Sequence, residues 1–373
     1  MRKKIRLGVL FGGRSCEHEV SVTSARSMLA SLDPEKYEVT LIGIGKDGSW
    51  QVAADRAILP LGTSVDSETS TPVLLDYCEG RILIPRNTTH PPTEASFGQL
   101  DVVFPLLHGP FGEDGTVQGL LELADVPYVG SGVVGSAVGM DKVMMKRAFR
   151  AEGIPLLPHL VATYAEVTQN LQALERRAAH ALGYPLFVKP ASLGSSVGVH
   201  RIDDPTIFPD AVRDAATYDE KIILEQAASL GREPAREIEC AVLGNDMPQA
   251  SVLGEIEPSD GFYDYTAKYV DNSARLVVPA VLPREITARV QTLAIEAFRA
   301  VDAKGLARVD FFVSPERDQI VVNEINTMPG FTPISMYPKL WEASGVPYAE
   351  LIDRLIELAL ERHRATHRIR RAL

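Results

Sequence analysis

Short apolar runs that stop abruptly and give way to helical spacing fill the first third of the chain. Ile5–Leu10 is such a run; Gly12-Gly13 closes it, and Val20–Leu32 carries apolar residues at helical intervals. Tyr37–Ile44 is a second run, rich in β-branched residues. Asp101–Leu106 is a third, ending at a glycine loop before a helical pattern over Thr116–Leu123. Strands alternating with helices build a parallel α/β sheet, and such sheets bind ligands at loops beyond the strands' carboxyl ends. The glycine loops at 12–13 and 109–115 hold those positions. Pro60–Gln99, rich in Ser, Thr and Pro, interrupts the alternation. Its apolar pieces Val73–Leu75 and Ile82–Ile84 read as a hairpin-bearing insertion away from the site.

At roughly 100–200 residues per domain, 373 residues hold two or three domains. A second unit begins near Gly130, with a helix over Asp141–Glu152 and a strand ending at Lys189-Pro190. The loop Leu193–Gly198, then Val199–Ile202 and the strand Lys221–Glu225 complete it. The last third has strands at Glu237–Leu243, Ala307–Val313 and Gln319–Asn323, and helices at Arg284–Val301 and Tyr348–Arg362. The tail after Glu361 holds five arginines and reads as a solvated helix end. With 49 acidic against 38 basic residues the net charge is −11, which argues against nucleic-acid binding through a basic face. Three scattered cysteines (Cys16, Cys78, Cys240) suggest neither a disulfide framework nor a zinc knuckle. Arg2-Lys3-Lys4 before Ile5–Phe11 imitates a signal peptide, but Arg6 interrupts the run and no small-residue cleavage site follows. No stretch reaches the roughly 18 apolar residues of a membrane span. The expectation is a cytoplasmic protein without membrane insertion.

The most informative segment is 306–330. Arg308 and Asp310 are two apart on one strand, as are Glu324 and Asn326 on the next, so each pair shares a face. If Val313 pairs with Ile320, Asp310 lies opposite Asn323. If it pairs with Val321, Asp310 lies beside Glu324 and Arg308 beside Asn326. The second register gathers two carboxylates, an amide and an arginine, an oxygen donor set suited to Mg²⁺ among phosphates. Otherwise the segment is a surface hairpin with its polar residues outward.

Lys189 at a strand end, with the loop Ala191–Gly198 offering backbone N–H groups and hydroxyls, suits the oxygens of a triphosphate, although it is no Walker A sequence. Glu17, beyond the first strand, either complements a helix dipole or binds an ammonium group. His108, in a loop with Glu113 and Asp114, sits at a strand end in the expected crevice. Gly261–Tyr269, with three tyrosines and Lys268, reads as a lid loop.

Seven motifs, in order from about residue 8 to residue 336, together resemble the D-alanine–D-alanine ligases of the ATP-grasp superfamily. They are Gly-Gly-Arg-Ser-Cys-Glu-His-Glu-Val-Ser, His-Gly-Pro-Phe-Gly-Glu-Asp-Gly, Val-Lys-Pro, Gly-Ser-Ser-Val-Gly, Tyr-Asp-Tyr-Thr-Ala-Lys-Tyr, Arg-Val-Asp and Asn-Glu-Ile-Asn-Thr-Met-Pro-Gly. The resemblance implies an α/β protein of three domains. These are an N-terminal parallel α/β domain (1–130, with the insertion at about 60–99), a small central α+β domain (131–228) and a C-terminal mixed-sheet domain (229–373). It implies ATP held by Lys142, Lys189, Ser195, Ser196 and backbone near Glu225, with Glu237 on the ribose. Asp310, Glu324 and Asn326 would hold two Mg²⁺ ions, or Mn²⁺. Glu17 would take the ammonium of the first D-alanine, and Lys268 and Ser335 the carboxylate of the second. Arg308 and the Gly330 N–H would stabilise the oxyanion. Ser195 and Tyr269 would join Glu17 in a triad, and His108 belongs to the same catalytic set. A homodimer paired through N-terminal domains is also implied. One departure is Glu225-Gln226-Ala227, where some members have a lysine and an aromatic after the glutamate.

The competing readings are ligation of D-alanine to D-serine or D-lactate, a non-catalytic ATP-binding module, and an NAD-dependent oxidoreductase. The last lacks a GxGxxG pattern.

Overall fold

The computed structural model describes residues 3–53, 70–76, 82–85, 100–228, 235–257 and 275–369. Three sheets organise them. The first contains β1 (Ile5–Gly12), β2 (Tyr37–Ile44), β3 (Trp50–Ala53), β4 (Ser70–Asp76), β5 (Ile82–Pro85) and β6 (Val102–Pro105), in the order β5-β4-β3-β2-β1-β6. β1 runs parallel to both β2 and β6, as the strand–helix alternation requires. β3, β4 and β5 extend the sheet in antiparallel fashion, so the hairpin of the 60–99 insertion continues the sheet edge. Helix α1 (His18–Ser31) buries Val22, Ala25 and Met28 on one face of β1, and α2 (Thr116–Leu123) buries Val117 and Leu121 on the other.

Helices α3 (Val133–Met140) and α4 (Lys142–Ala151) lead into the second sheet. Its strands are β7 (His159–Thr163), β8 (Leu186–Pro190), β9 (His200–Ile202) and β10 (Lys221–Gln226), ordered β7-β10-β8-β9 and all antiparallel. Helices α5 (Tyr164–Gln169), α6 (Leu171–Ala181) and α7 (Phe208–Tyr218) cover it through Val167, Leu174, Phe208 and Val212. The Asp141 carboxylate caps α4 by accepting from the N–H groups of Val143 and Met144.

The third sheet contains β11 (Arg236–Gly244), β12 (Gln249–Glu257), β13 (Arg275–Val277), β14 (Gly305–Ser314) and β15 (Gln319–Asn326), ordered β13-β12-β11-β14-β15. These strands pair antiparallel, and a parallel bridge from Leu156 to Val322 makes the β15 edge mixed. Helix α8 (Arg284–Ala300) presents Ile286, Val290, Ala294, Ala297 and Phe298, a 3.6-period stripe, to one face. Met145, Phe149 and Ile154, from α4 and the turn after it, share that core. Helices α9 (Met336–Ala343) and α10 (Tyr348–His367) cover part of the other face and join the first sheet in a common core.

Sequence patterning does not reveal β12 or α9. Gly254 interrupts β12 where a Cβ would meet Met336 Sδ at 2.6 Å, so the glycine admits α9 while weakening the strand signal. Pro338 disguises α9, yet it lies in the first turn, where a missing N–H costs no helical bond. No helix among the described residues is long and apolar enough to cross a membrane.

Candidate active site

β14 alternates between two environments. Ala307, Val309, Phe311 and Val313 point into the core beneath α8, while Arg308, Asp310 and Phe312 face the opposite, partly exposed side. Strict alternation along β15 would send Ile320, Val322 and Glu324 into the same core. The register shifts at Asn323 instead. Val313 pairs with Ile320 and Phe311 with Val322, but Asp310 pairs with Glu324 and Arg308 with Asn326. One extra residue on one strand is a β-bulge, and it reverses the facing of the side chains beyond it. Ile325 is therefore buried, and Glu324 and Asn326 share a face with Asp310. Both registers open to the sequence occur, one near the turn and the other at the site.

Glu239 on β11 pairs with Asp310 from the other side, so Glu239, Asp310 and Glu324 form a row across three strands. Such a row requires cations. Arg308 forks Asp310 through Nε–Oδ1 and Nη2–Oδ2 bonds of 2.7 Å each, and its Nε lies 3.1 Å from Glu239 Oε2. Burial opposes the Arg308 charge, but Asp310 and Glu239 outweigh it and raise its pKa. Lys142 Nζ lies 3.5 Å from Glu324 Oε2 and donates to Leu193 O at 2.7 Å. Asn326 Oδ1 accepts from Met328 N at 3.1 Å, which uses one of its two lone pairs.

Behind this row two lysines bracket one carboxylate. Lys146 Nζ is 2.6 Å from Glu225 Oε1, and Lys189 Nζ is 2.8 Å from Oε2. Burial would raise the Glu225 carboxyl, but the two ammonium groups hold it at about 2. The bulged Asn323 serves both cations. Its carbonyl accepts from Lys146 at 3.1 Å and its amide oxygen from Lys189 at 3.4 Å. The Glu225 side chain is thus committed to lysines. Gln226 donates to Leu182 O at 2.9 Å, and Glu237 lies two residues before Glu239 on the same strand face.

Glu17 holds the N-cap position of α1, yet its side chain makes no capping bond. Its carboxylate accepts from the Ser195 hydroxyl instead, reaching across from the first unit to the glycine-serine loop. Space for it comes from two glycines: a Cβ on Gly109 would stand 2.9 Å from Glu17 Oε2, and one on Gly194 3.2 Å. Ser195 and Ser196 adopt left-handed φ values of +50° and +58°. This conformation costs of order 1–3 kcal/mol per non-glycine residue, and such strain gathers at functional sites.

His108 is buried beside Glu17. Its Nδ1 lies 3.1 Å from Met328 O, to which it donates, and 3.5 Å from Glu113 Oε1; its Nε2 meets Ser24 Oγ at 3.2 Å. Burial disfavours its charged form, but Glu113 and Glu17 outweigh this and raise its pKa. Downstream, Ser335 Oγ accepts from Thr332 N at 3.2 Å and would lie 3.1 Å from a Cβ on Gly330. Lys268, Tyr269 and the Gly261–Tyr269 loop lie outside the described residues.

Residues 6–131 match the family model for the D-ala D-ala ligase N-terminus, and residues 148–357 match that for the D-ala D-ala ligase C-terminus. The D-alanine–D-alanine ligase of Thermoanaerobacter sp. (strain X514) is 48% identical over 365 residues, 97% of this chain and 98% of that one. The chain belongs to the D-alanine–D-alanine ligase family. The same-named protein of Shouchella clausii is 46% identical over 97% of this chain and 96% of its own. Among solved structures, the D-alanine-D-alanine ligase from Coxiella burnetii matches with a TM-score of 0.81 and 38% identity, covering 98% of this chain and 96% of that one. A D-Ala:D-Ser ligase from Enterococcus faecalis matches with a TM-score of 0.82 and 33% identity, covering 96% and 100%.

Motif reasoning passes over two residues that this family member brings into the site. Lys146 stands four residues after Lys142 on a helix the sequence predicts, so the i, i+4 rule could have found it. Glu239 stands two residues after Glu237 on a predicted strand, which puts both on one face.

Proposed function

We propose that the chain joins two molecules of D-alanine into D-alanyl-D-alanine, driven by ATP through an acyl phosphate, and so supplies peptidoglycan synthesis. The carrying observation is the registered set Arg308, Asp310, Glu324 and Asn326, with Lys142 beside it, in a chain that resembles ligases of this name over 97% of its length. D-Serine and D-lactate are less favoured second substrates, since the 46–48% identical relatives carry the D-alanine–D-alanine name.

Residues 1–130 serve the substrate side, and 131–228 and 229–373 grip ATP between them. Lys142, Lys189, Ser195, Ser196 and backbone near Glu225 hold the nucleotide, and Glu237 its ribose. The donor set of Asp310, Glu324 and Asn326 is all oxygen, which fits Mg²⁺ or Mn²⁺, and we assign it two ions. When bound, the metal neutralises phosphate charge, the chief requirement of phosphoryl transfer.

The chain's own residues orient the rest. Glu17 receives the ammonium of the first D-alanine, whose carboxylate attacks the γ-phosphorus and expels ADP. The amine of the second D-alanine, whose carboxylate Lys268 and Ser335 hold, attacks the acyl carbon. Inorganic phosphate leaves and the amine sheds a proton. Arg308 and the Gly330 N–H donate to the tetrahedral oxyanion, and one such donor is typically worth about 10²–10³ in rate. Ser195 and Tyr269 join Glu17 across the entrance, excluding water that would hydrolyse the acyl phosphate. His108 is a positioning residue: its bond to Met328 O fixes the turn that carries Gly330. The enzyme works in the cytoplasm as a homodimer paired through its N-terminal units, a reading that rests on the family resemblance.

ADP release measured with ATP, Mg²⁺ and D-alanine, with products resolved by mass, tests the reading. D-Alanine-dependent release accompanied by dipeptide is expected. ADP without dipeptide, or no ADP, overturns it.

A further inference from the structure

The last turn of α10 carries a side-chain cluster that no step of the ligation uses. His363 and His367 stand one helical turn apart, with ring centroids 4.1 Å from each other. Both aim Nε2 at Asp125, in the left-handed turn after α2. His363 Nε2 lies 3.2 Å from Oδ1, and His367 Nε2 lies 3.0 Å from Oδ1 and 3.2 Å from Oδ2. All three donor groups fall within 4.8 Å of one another.

A proton count shows what such an arrangement can do. His367 Nδ1 is 3.0 Å from the carbonyl oxygen of His363. A carbonyl only accepts, so Nδ1 carries the proton. A neutral ring then leaves a lone pair on Nε2, aimed at a carboxylate that also only accepts. Two acceptors at this distance repel unless a second proton or a metal cation stands between them. The Nδ1–H bond to a backbone carbonyl is the contact that orients metal-ligating imidazoles. The N···O spacings of 3.0–3.2 Å agree as well: metal–ligand lengths of about 2.0–2.1 Å in a tetrahedral site separate ligand atoms by roughly 3.3 Å. Glu122 and Arg362 line the same hollow. Arg362 is already engaged, with its guanidinium 4.2 Å over the Tyr128 ring and its N–H groups on the carbonyls of Gly130 and Tyr128.

We infer that Asp125, His363 and His367 form a site for a divalent transition metal, with its remaining coordination open to solvent. Two imidazoles and one carboxylate select Zn²⁺, Co²⁺, Ni²⁺ or Cu²⁺ over Mg²⁺. The ion would tie the C-terminal helix to the loop after α2, and it is independent of the ligation chemistry. The test titrates the full-length protein, stripped with a chelator and dialysed, with Co²⁺ in excess Mg²⁺, following visible d–d absorption. One equivalent that Zn²⁺ displaces is expected. His367→Ala and Asp125→Asn should each weaken binding by at least about tenfold, with Cys16→Ser unchanged. Zn²⁺ should raise the melting temperature of the wild type but not of His367→Ala, and ADP release should be unaffected in both. Absence of a cobalt signal in the wild type overturns the site. So does an unchanged titration in the variants.

Discussion

Glu324 reaches the site because of a single residue, the bulged Asn323, and it lies outside the packed core. Its substitution therefore separates chemistry from stability. Glu324→Ala should abolish ADP release at saturating Mg²⁺ while thermal melting changes by no more than about 0.5 kcal/mol. Turnover near the wild-type value would remove Glu324 from the metal set. A second prediction belongs to Tyr269. Tyrosine is neutral near pH 7, its reference pKa being about 10, so in the proposed role at the entrance it would add no repulsion against an ammonium nucleophile. In a competition of D-alanine against D-lactate near pH 7, dipeptide should dominate. An excess of ester would show that Tyr269 does not set the choice.

At the scale of elements, one buried carboxylate joins three of them. Glu225 on β10 accepts from Lys189 on β8 and forms an ion pair with Lys146 on α4, and Lys146 also reaches the bulge of β15. Neutralising this buried carboxyl takes from Lys146 and Lys189 their nearest counter-charge, so Glu225→Gln should destabilise the fold at pH 7 by about 3 kcal/mol. The pH dependence has a definite sign. The folded carboxyl titrates at about 2 against an ordinary 4.5, so unfolding takes up a proton at acid pH. Wild-type stability from this group is complete above about 4.5 and is lost as pH falls through about 2. Denaturant melts across that window should show a shallower acid loss for Glu225→Gln. Parallel curves would mean that Glu225 is not held low.

Across the whole molecule, α10 does more than end the chain. The arginine-rich tail reads as a solvated helix end, and the structure corrects this for Arg362. Its guanidinium donates to Gly130 O at 2.6 Å and Tyr128 O at 3.2 Å and stacks on the Tyr128 ring. The reason is that α10 shares a core with β1 and β6, so its last turns land on the carbonyls at 128–130. Arg362→Ala should cost about 2 kcal/mol, the worth of charged hydrogen bonds plus a cation–π contact. A melting temperature equal to the wild type would restore the solvated reading.

The periodicities of 2 and 3.6 in the sequence suffice for β1, β2, β6, β14 and β15 and for α1, α4, α8 and α10, because each buries a repeating apolar face. The motif order likewise suffices for the family, since motif residues are chosen by chemistry that local spacing displays. Packing decided the rest. β12 and α9 escape notice because Gly254 and Pro338 answer to a neighbouring element and a helix's first turn. The strand spacing left two registers open for Asp310, and only the tertiary structure resolves them. The bulge at Asn323 is set by the core that claims Ile325 and by the two lysines that claim Asn323. Partnerships between units, such as Glu17 with Ser195 and Arg362 with the 128–130 carbonyls, have no local signature. They join residues far apart in the chain, whose geometry exists only once the sheets have packed.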